Sequence, residues 1–430
     1  MRDSRQGRHP GRGRTGLLLA VGALAAGSLA ACSGASATTE LVWYVNPDQG
    51  GQAAIAEACS TDEYTITTQV LPQASDQQRI QLARRLAAED SEIDLMSLDP
   101  PFTAEFASAG FLDPVPDEAV EQLEQQGTFD GAMEAATWED ELVVYPFWSN
   151  TQVLWFRKSF AEKAGIDMSR PHTWDELIET ASANGGRIGV QANKYEGYVV
   201  WINALVEGAG GHLMEDTEEG IDAEITIADE PGRKAAAVIE KLAGSKAAPA
   251  DLSVSNEGTA GSTFASDAGS FMVNWTYIFH SYDETDPAVA KDIGYARYPQ
   301  TVEGEESRPP YGGIGIGVSA HSEHRDLAQE AAQCLVSPEN QATNAEMTGN
   351  MPASRDGYDQ EAVKKAYPAD LLALFQESVD AAAPRTVTPY WSDVSGAIQS
   401  SWHPASSVDG DTPERSADFI REVLEGRRLL

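Results

Sequence analysis

The sequence predicts an α/β protein with parallel or mixed sheets. Short β-rich runs alternate along the chain with capped, amphipathic stretches. A hydrophobic fraction of 42% in 430 residues supplies cores for one large or two medium domains. Turns bearing Pro and Gly separate the runs, and no short internal repeat is present.

Taken in order, Glu40–Val45 opens the body as a strand and leads into the polar turn Asn46–Gly51, then into a helix containing Cys59. Tyr64–Val70 is a second strand. Asp76–Glu89 reads as a helix with Ile80, Ala83 and Ala87 on one stripe. Ile93–Leu98 is a short buried strand stopped by Asp99-Pro100-Pro101. Leu142–Pro146 and Gln152–Phe156 read as two strands, separated by the polar island Ser149-Asn150-Thr151-Gln152 within "YPFWSNTQVLWFRK". At His172–Leu177 a helix starts, with Thr173 as N-cap and Glu176 completing a capping box. Gly189–Ala192 is a strand, Tyr198–Gly208 a buried helix, Glu230–Ala247 an amphipathic helix and Ser270–Trp275 a strand. Gly312–Ser319 is a glycine-rich strand, and a helix holding Cys334 follows it. Ser337-Pro338-Glu339 starts another helix, and the chain from Arg355 on is mainly helical.

With 67 acidic and 30 basic residues the formal charge is −37, which argues against a nucleic-acid or anionic-surface partner. The first 31 residues differ from the rest. Arg2, Arg5, Arg8, Arg12 and Arg14 precede a small-apolar run, Leu17–Ala26, which continues to Ala31 with small interruptions and is too short to span a bilayer comfortably. That is the layout of a secretory signal. Leu29-Ala30-Ala31-Cys32 resembles a bacterial lipobox, in which Cys32 would carry lipid and begin the mature chain, with residues 32–39 as a tether; the alternative is a plain signal with an incidental Cys. Cys59 and Cys334 remain, as one disulfide or as two buried thiols. No spacing of Cys or His matches a metal site, and His321-Ser322-Glu323-His324 lacks the zinc-protease spacing.

The segments "QLARRLAAEDSEIDLMSLD", "FTAEFASAGFLDPV", "YPFWSNTQVLWFRK", "HTWDELIE", "FMVNW", "YGGIGIGVSAHS" and "GNMPASR" resemble the family 1 extracellular solute-binding proteins of ABC importers, the maltodextrin-binding type. They cover nearly the whole mature chain. "NTQVLW", "VNW" and "AAPRTVTPYW" look like the trehalose-binding lipoproteins of mycobacteria. The resemblance implies a two-lobed, type II periplasmic-binding-protein-like α/β fold with a hinge of crossing strands and a ligand cleft between the lobes. Lobe one would be 40–147 plus 306–349, and lobe two 148–305 plus 350–430. It implies a monomer without catalysis, cofactor or metal, lipid-anchored on the extracytoplasmic face of the cell membrane. Its partners would be a disaccharide, trehalose preferred, and the transmembrane subunits of an ABC permease. It also places Cys59 and Cys334 on helices of one lobe, which favours the disulfide.

An uncharged disaccharide presents C–H faces to aromatic rings and hydroxyls to carboxylates, amides and guanidinium groups. Candidates stand where strands end. Asp99 follows Ile93–Leu98 and would accept hydroxyls or else cap its turn. Asn46 and Asp48 would contact sugar or form a simple turn. Asn150 would present its amide where the chain crosses between lobes. Glu257 would contact sugar or compensate a helix dipole. Trp275 is the stacking platform, with a core Trp as the alternative and Tyr277 a weaker candidate. Gly312 and Gly313 would admit close backbone approach, or mark a bulge. Arg385 would fork onto hydroxyls or form a salt bridge. Gln191, Asn193, Glu196 and Arg79 are looser candidates.

Two other functions compete. A secreted glycoside hydrolase would use Asp99 and Glu257, whose carboxyls would then lie roughly 5–5.5 Å or 6.5–9.5 Å apart. A surface adhesin or sensor would keep the fold without a permease. Within the importer reading, maltose or maltodextrin is the alternative ligand. No serine elbow or phosphate loop accompanies the acids.

Overall fold

In the computed structural model, which describes residues 38–430, nine strands among the described residues form one mixed sheet. The expected secretory signal, Cys32 and the expected tether up to residue 37 lie outside the described residues. The strands are β1 (Thr39–Val45), β2 (Tyr64–Val70), β3 (Leu95–Leu98), β4 (Leu112–Asp113), β5 (Tyr145–Arg157), β6 (Arg187–Gly189), β7 (Gly269–Trp275), β8 (Ile293–Ala296) and β9 (Tyr311–Ser319). Their order is β2-β1-β3-β9-β5-β7-β6, with β4 paired to β9 and β8 to β5. β1 is parallel to β2 and β3, and β7 is parallel to β6, while β9 and β7 both run antiparallel to β5. Burial follows position in the sheet. Edge strand β2 starts with Tyr64 in, Thr65 out and Ile66 in, whereas β1, between two neighbours, buries Trp43, Tyr44 and Val45 in succession.

The helices that matter for the site are α1 (Gly51–Ala58), α2 (Ser75–Leu86), α3 (Trp174–Asn184), α4 (Glu196–Glu207), α5 (Glu230–Gly244), α6 (Glu257–Ala265), α7 (Arg325–Leu335), α8 (Pro338–Thr348), α9 (Ala369–Asp380) and α10 (Trp391–Trp402). Two expectations are corrected in them. The buried stripe of α2 is Gln78, Leu82 and Leu86, four residues apart, not Ile80, Ala83 and Ala87: the two leucines bury more apolar area than the alanines, and Ala87 lies past the helix end. At α3, Thr173 Oγ1 accepts from the Glu176 N–H at 3.2 Å, but the Glu176 carboxylate turns to His172 Nδ1 (2.9 Å) and Arg170, so half of the capping box forms.

A third correction concerns the polar island. The expected pair of strands is one continuous 13-residue strand, β5, with Tyr145 through Trp155 buried. β5 pairs with β9 from Tyr145 to Thr151 and with β7 from Gln152 to Phe156, so it changes partner inside the island. Each island side chain finds a partner at that crossing. Ser149 Oγ meets Tyr311 Oη at 3.0 Å, Thr151 Oγ1 donates to Pro310 O at 3.0 Å, and Gln152 Nε2 donates to Gln191 Oε1 at 3.0 Å. Two other chain passages join it: Met351 O accepts from the Ser149 N–H at 3.0 Å, and the Tyr311 N–H donates to Ala383 O at 2.9 Å. The flanking rings pack on one another and on the cores, Phe147 against Trp43 and Trp148, and Trp155 against Phe375. Past Asn350 the chain touches both halves of β5, since Pro352 bridges to Trp148 and Phe375 packs on Trp155 with ring centroids 6.1 Å apart.

Cys59, just past the end of α1, and Cys334 on α7 form a disulfide with Cα atoms 5.9 Å apart. Gly313 has φ +140°, and a Cβ there would stand 2.1 Å from Trp148 O. β9 therefore approaches β5 closely through a residue without a side chain. Gly313→Ala is expected to destabilise the fold by about 2 kcal/mol or more. Urea unfolding would show it as a lower midpoint at unchanged slope.

Candidate functional site

Asn46 follows β1, Asp99 follows β3, Tyr195 and Glu196 follow the segment after β6, and Trp275 ends β7. Loops at the carboxyl ends of strands line the crevice of an α/β sheet. These residues come from both sides of the β5–β9 crossing.

The centre is a buried charge cluster. Arg385, with 4% of its side chain exposed, donates from Nη2 to Asp99 Oδ1 at 3.1 Å and from Nη1 to Glu196 Oε1 at 2.9 Å. Glu196 starts α4 and also accepts the Trp391 indole N–H at 3.0 Å and the Ser395 hydroxyl. Arg385 Nε is covered and has no partner among the described residues. One cation thus faces two anions. Burial pushes the Asp99 carboxyl up to about 6; Arg385 opposes that rise and Glu196 adds to it. Burial also works against the Arg385 charge, but the two carboxylates outweigh it and hold its pKa above the usual value. Among the described residues no donor reaches Asp99 Oδ2.

A second group adjoins it through Tyr195. Burial pushes the Glu257 carboxyl above its ordinary range, opposed by its own backbone N–H, by Tyr195 and by Trp275. No cation is among the groups acting on it. Asn256, not Glu257, caps α6, accepting the Thr259 N–H at 3.0 Å. Tyr195 is pushed well up by burial and by Glu257, and its Oη, covered from solvent, stands beside that carboxylate without hydrogen-bond geometry. Burial and Glu257 also push Tyr277 up. Trp275 is only partly buried. Its ring rests on β9, where a Cβ on Gly312 would lie 2.6 Å from Trp275 Cζ3. Gly312 is therefore the seat of the Trp275 ring.

The other sequence candidates are bonded within the protein. Asn150 accepts at Oδ1 from Thr276 Oγ1 (3.2 Å) and the Met351 N–H (3.3 Å), and donates to Asn350 Oδ1 at 3.0 Å. Its amide is thus occupied inside the crossing, where three chain passages must be cross-linked. Gly313 serves the approach to Trp148, as described above. Asp48 fixes its own turn, accepting from the N–H groups of Gly50 and Gln52 at 2.8 and 2.9 Å. Asn46 donates to Gln78 Oε1 at 2.9 Å and keeps a buried, unpartnered Oδ1. Gln191 bridges Gln152 to Val273 O, and Arg79 forks onto Glu105. Sequence reasoning left Glu196 among the looser candidates and missed Tyr195, Trp391 and Ser395. Only "TPYW" beside Arg385 signalled Trp391. Among the described residues no group of His, Cys, Asp and Glu is arranged to hold a metal ion.

The model of the family described as bacterial extracellular solute-binding protein matches residues 46–342. The chain belongs to this family. That stretch includes Asp99, Glu196, Glu257, Trp275 and Gly312; Arg385 lies beyond it. The diacetylchitobiose binding protein DasA of Streptomyces coelicolor is 27% identical over 236 residues, 54% of this chain and 52% of that protein, so the match spans about half of that relative's length. The galactooligosaccharide-binding protein of Bacillus subtilis is 21% identical over 302 residues, 69% of each chain. Among solved structures, maltose-bound MalE3 of T. maritima superposes with TM-score 0.79 at 21% identity, covering 91% of this chain and 100% of that one. The GacH receptor of Streptomyces glaucescens, solved unliganded and with acarbose, gives TM-score 0.76 at 19% identity, covering 90% and 99%. The fold is the two-lobed, type II periplasmic-binding-protein α/β architecture. Among the described residues no helix is long and apolar enough to cross a membrane.

Because folded Asp99 keeps its proton up to about pH 6, its stabilising contribution is present below the unfolded value near 4 and is lost as pH rises through 6. The unfolding free energy of the wild type relative to Asp99→Asn should fall by up to about 3 kcal/mol between pH 4 and pH 7. A flat difference across that window would mean that the carboxyl is solvated.

Proposed function

We propose that the protein captures a disaccharide, trehalose preferred, between its lobes and delivers it to the transmembrane subunits of an ABC importer. In this reading it is a monomer anchored through lipid on Cys32 to the extracytoplasmic face of the cell membrane. The observation that carries the reading is the partly buried Trp275 beside the Glu257 carboxylate, together with the Asp99 carboxylate held on the buried Arg385. A sugar has both complements: C–H faces for the ring and hydroxyl donors for carboxylates that lack enough protein donors. The names of the relatives support a carbohydrate, since they bind diacetylchitobiose, galactooligosaccharide and maltose. Trehalose itself rests on the likeness of "NTQVLW", "VNW" and "AAPRTVTPYW" to mycobacterial trehalose-binding lipoproteins. Maltose or maltodextrin is the alternative ligand.

The lobes of this reading are 40–147 plus 306–349 and 148–305 plus 350–430. The change of partner along β5 between Thr151 and Gln152 supports a division near that point. Closure would bring Asp99 from one side onto Arg385 from the other, so binding selects a closed arrangement.

Calorimetric titration with trehalose, maltose, diacetylchitobiose and glucose tests the reading. Heat with trehalose at the lowest Kd supports it, heat only with maltodextrins replaces the ligand, and glucose release from trehalose at catalytic rates would replace binding by hydrolysis through Asp99 and Glu257. Trp275→Ala should weaken the preferred sugar at least tenfold, about 1.4 kcal/mol, with the unfolding midpoint unchanged.

A further inference from the structure

Glu196 receives three side-chain donors and is itself almost fully covered, with 9% of its side chain exposed. So many donors on one buried carboxylate make a rigid anchor, because each would be left unpaired if it moved. Two of them, Trp391 and Ser395, come from α10 and fix Glu196 to that helix. The third is Arg385, whose other nitrogen reaches across the cleft to Asp99. A planar guanidinium held at one end has little freedom at the other. The same two sides meet again nearby, where Ser392 Oγ donates to Glu105 Oε2 at 3.1 Å and Glu105 is forked by Arg79.

We propose that Glu196 is a positioning residue for ligand capture: it fixes Arg385, and through Arg385 it orients the Asp99 carboxylate that accepts sugar hydroxyls. This rests on the sugar-binding reading above. Glu196 is too enclosed to serve as a sugar acceptor, and all its donors come from the protein. Its effect on the ligand passes through one guanidinium.

The arrangement has an electrostatic consequence. The charged groups acting on Asp99 are Arg385 and Glu196; Arg79, Glu105 and Asp393 form the next layer, where the turn Pro100–Phe102 meets α10. Arg385 favours the Asp99 carboxylate, and Glu196 opposes it by repulsion and by sharing the guanidinium. Removing the Glu196 charge while keeping its shape therefore leaves Asp99 ionised to lower pH. Replacing the fork by a single ammonium does the reverse, since Lys cannot span both carboxylates.

Calorimetric titrations with trehalose from pH 4.5 to 8 test this. Wild-type affinity should decline as pH falls through about 6, where Asp99 takes up its proton. In Glu196→Gln that decline should move at least half a pH unit lower, and in Arg385→Lys it should move higher with at least a tenfold loss of affinity at pH 7. A residue that served only to hold α4 and α10 together would lower the unfolding midpoint and leave the pH profile in place. Sugar binding with the same profile in wild type and both variants overturns the proposal. If wild type binds none of the sugars, the functional reading fails, and the carbon-13 titration midpoint of the Asp99 carboxyl then decides this proposal without ligand. A midpoint unmoved by Glu196→Gln overturns it, and a lowered one upholds it. If Glu196→Gln does not fold, Arg385→Lys is read instead: an unmoved Asp99 midpoint overturns the proposal and a raised one upholds it.

Discussion

Strand β5 is the constraint on which the rest of the structure depends. A strand that pairs with β9 over its first half and with β7 over its second belongs to two sheet halves at once. The polar residues Ser149 to Gln152 fall at the change of partner, fully inside the protein. Buried amides and hydroxyls cost about 1–3 kcal/mol each when left unpaired. The crossing avoids most of that cost by bringing Tyr311, Pro310, Asn350, Met351 and Gln191 against them. Those partners come from three separate chain passages. The island is therefore what pins the halves together, and it keeps the loops after β1, β3 and β7 facing a common space.

The space so defined carries more negative than positive charge. Asp99 and Glu196 share one guanidinium, Glu257 stands beside Tyr195, and burial raises the pKa of Asp99 and Glu257. Such a site accepts hydroxyl donors readily and has no surplus cation for an anionic ligand. The aromatic side of the site obeys a different rule. Gly312 lets the Trp275 ring lie on β9, so the ring is held by the strand under it.

Much of the fold was legible in the sequence. Alternation and breakers located β1, β2, β7 and β9 within a residue or so, and caps at Thr173 and Ser337 located two helix starts. The misses have one cause. Local pattern assigns a polar residue to an exposed place and a glycine to ligand access, because both are common reasons for those residue types. Asn150 is polar because the crossing buries it among other polar groups. Gly312 and Gly313 are glycines because Trp275 and Trp148 press on β9, and the pressing atoms lie far away in sequence. Asp48, in turn, does what Asn-Pro-Asp turns commonly do.

By itself the sequence determined the α/β class and the family, and it singled out Trp275, Asp99, Glu257 and Arg385 as candidates. Each stands at an element end or in a motif, and such signals are local. What the tertiary structure alone decided is which of them act together. Glu196 and Asp99 are 97 positions apart and Arg385 lies 189 beyond Glu196, yet two hydrogen bonds place all three in one cluster. A charge's pKa and orientation depend on the neighbours within a few ångströms, and chain folding, not chain order, selects those neighbours.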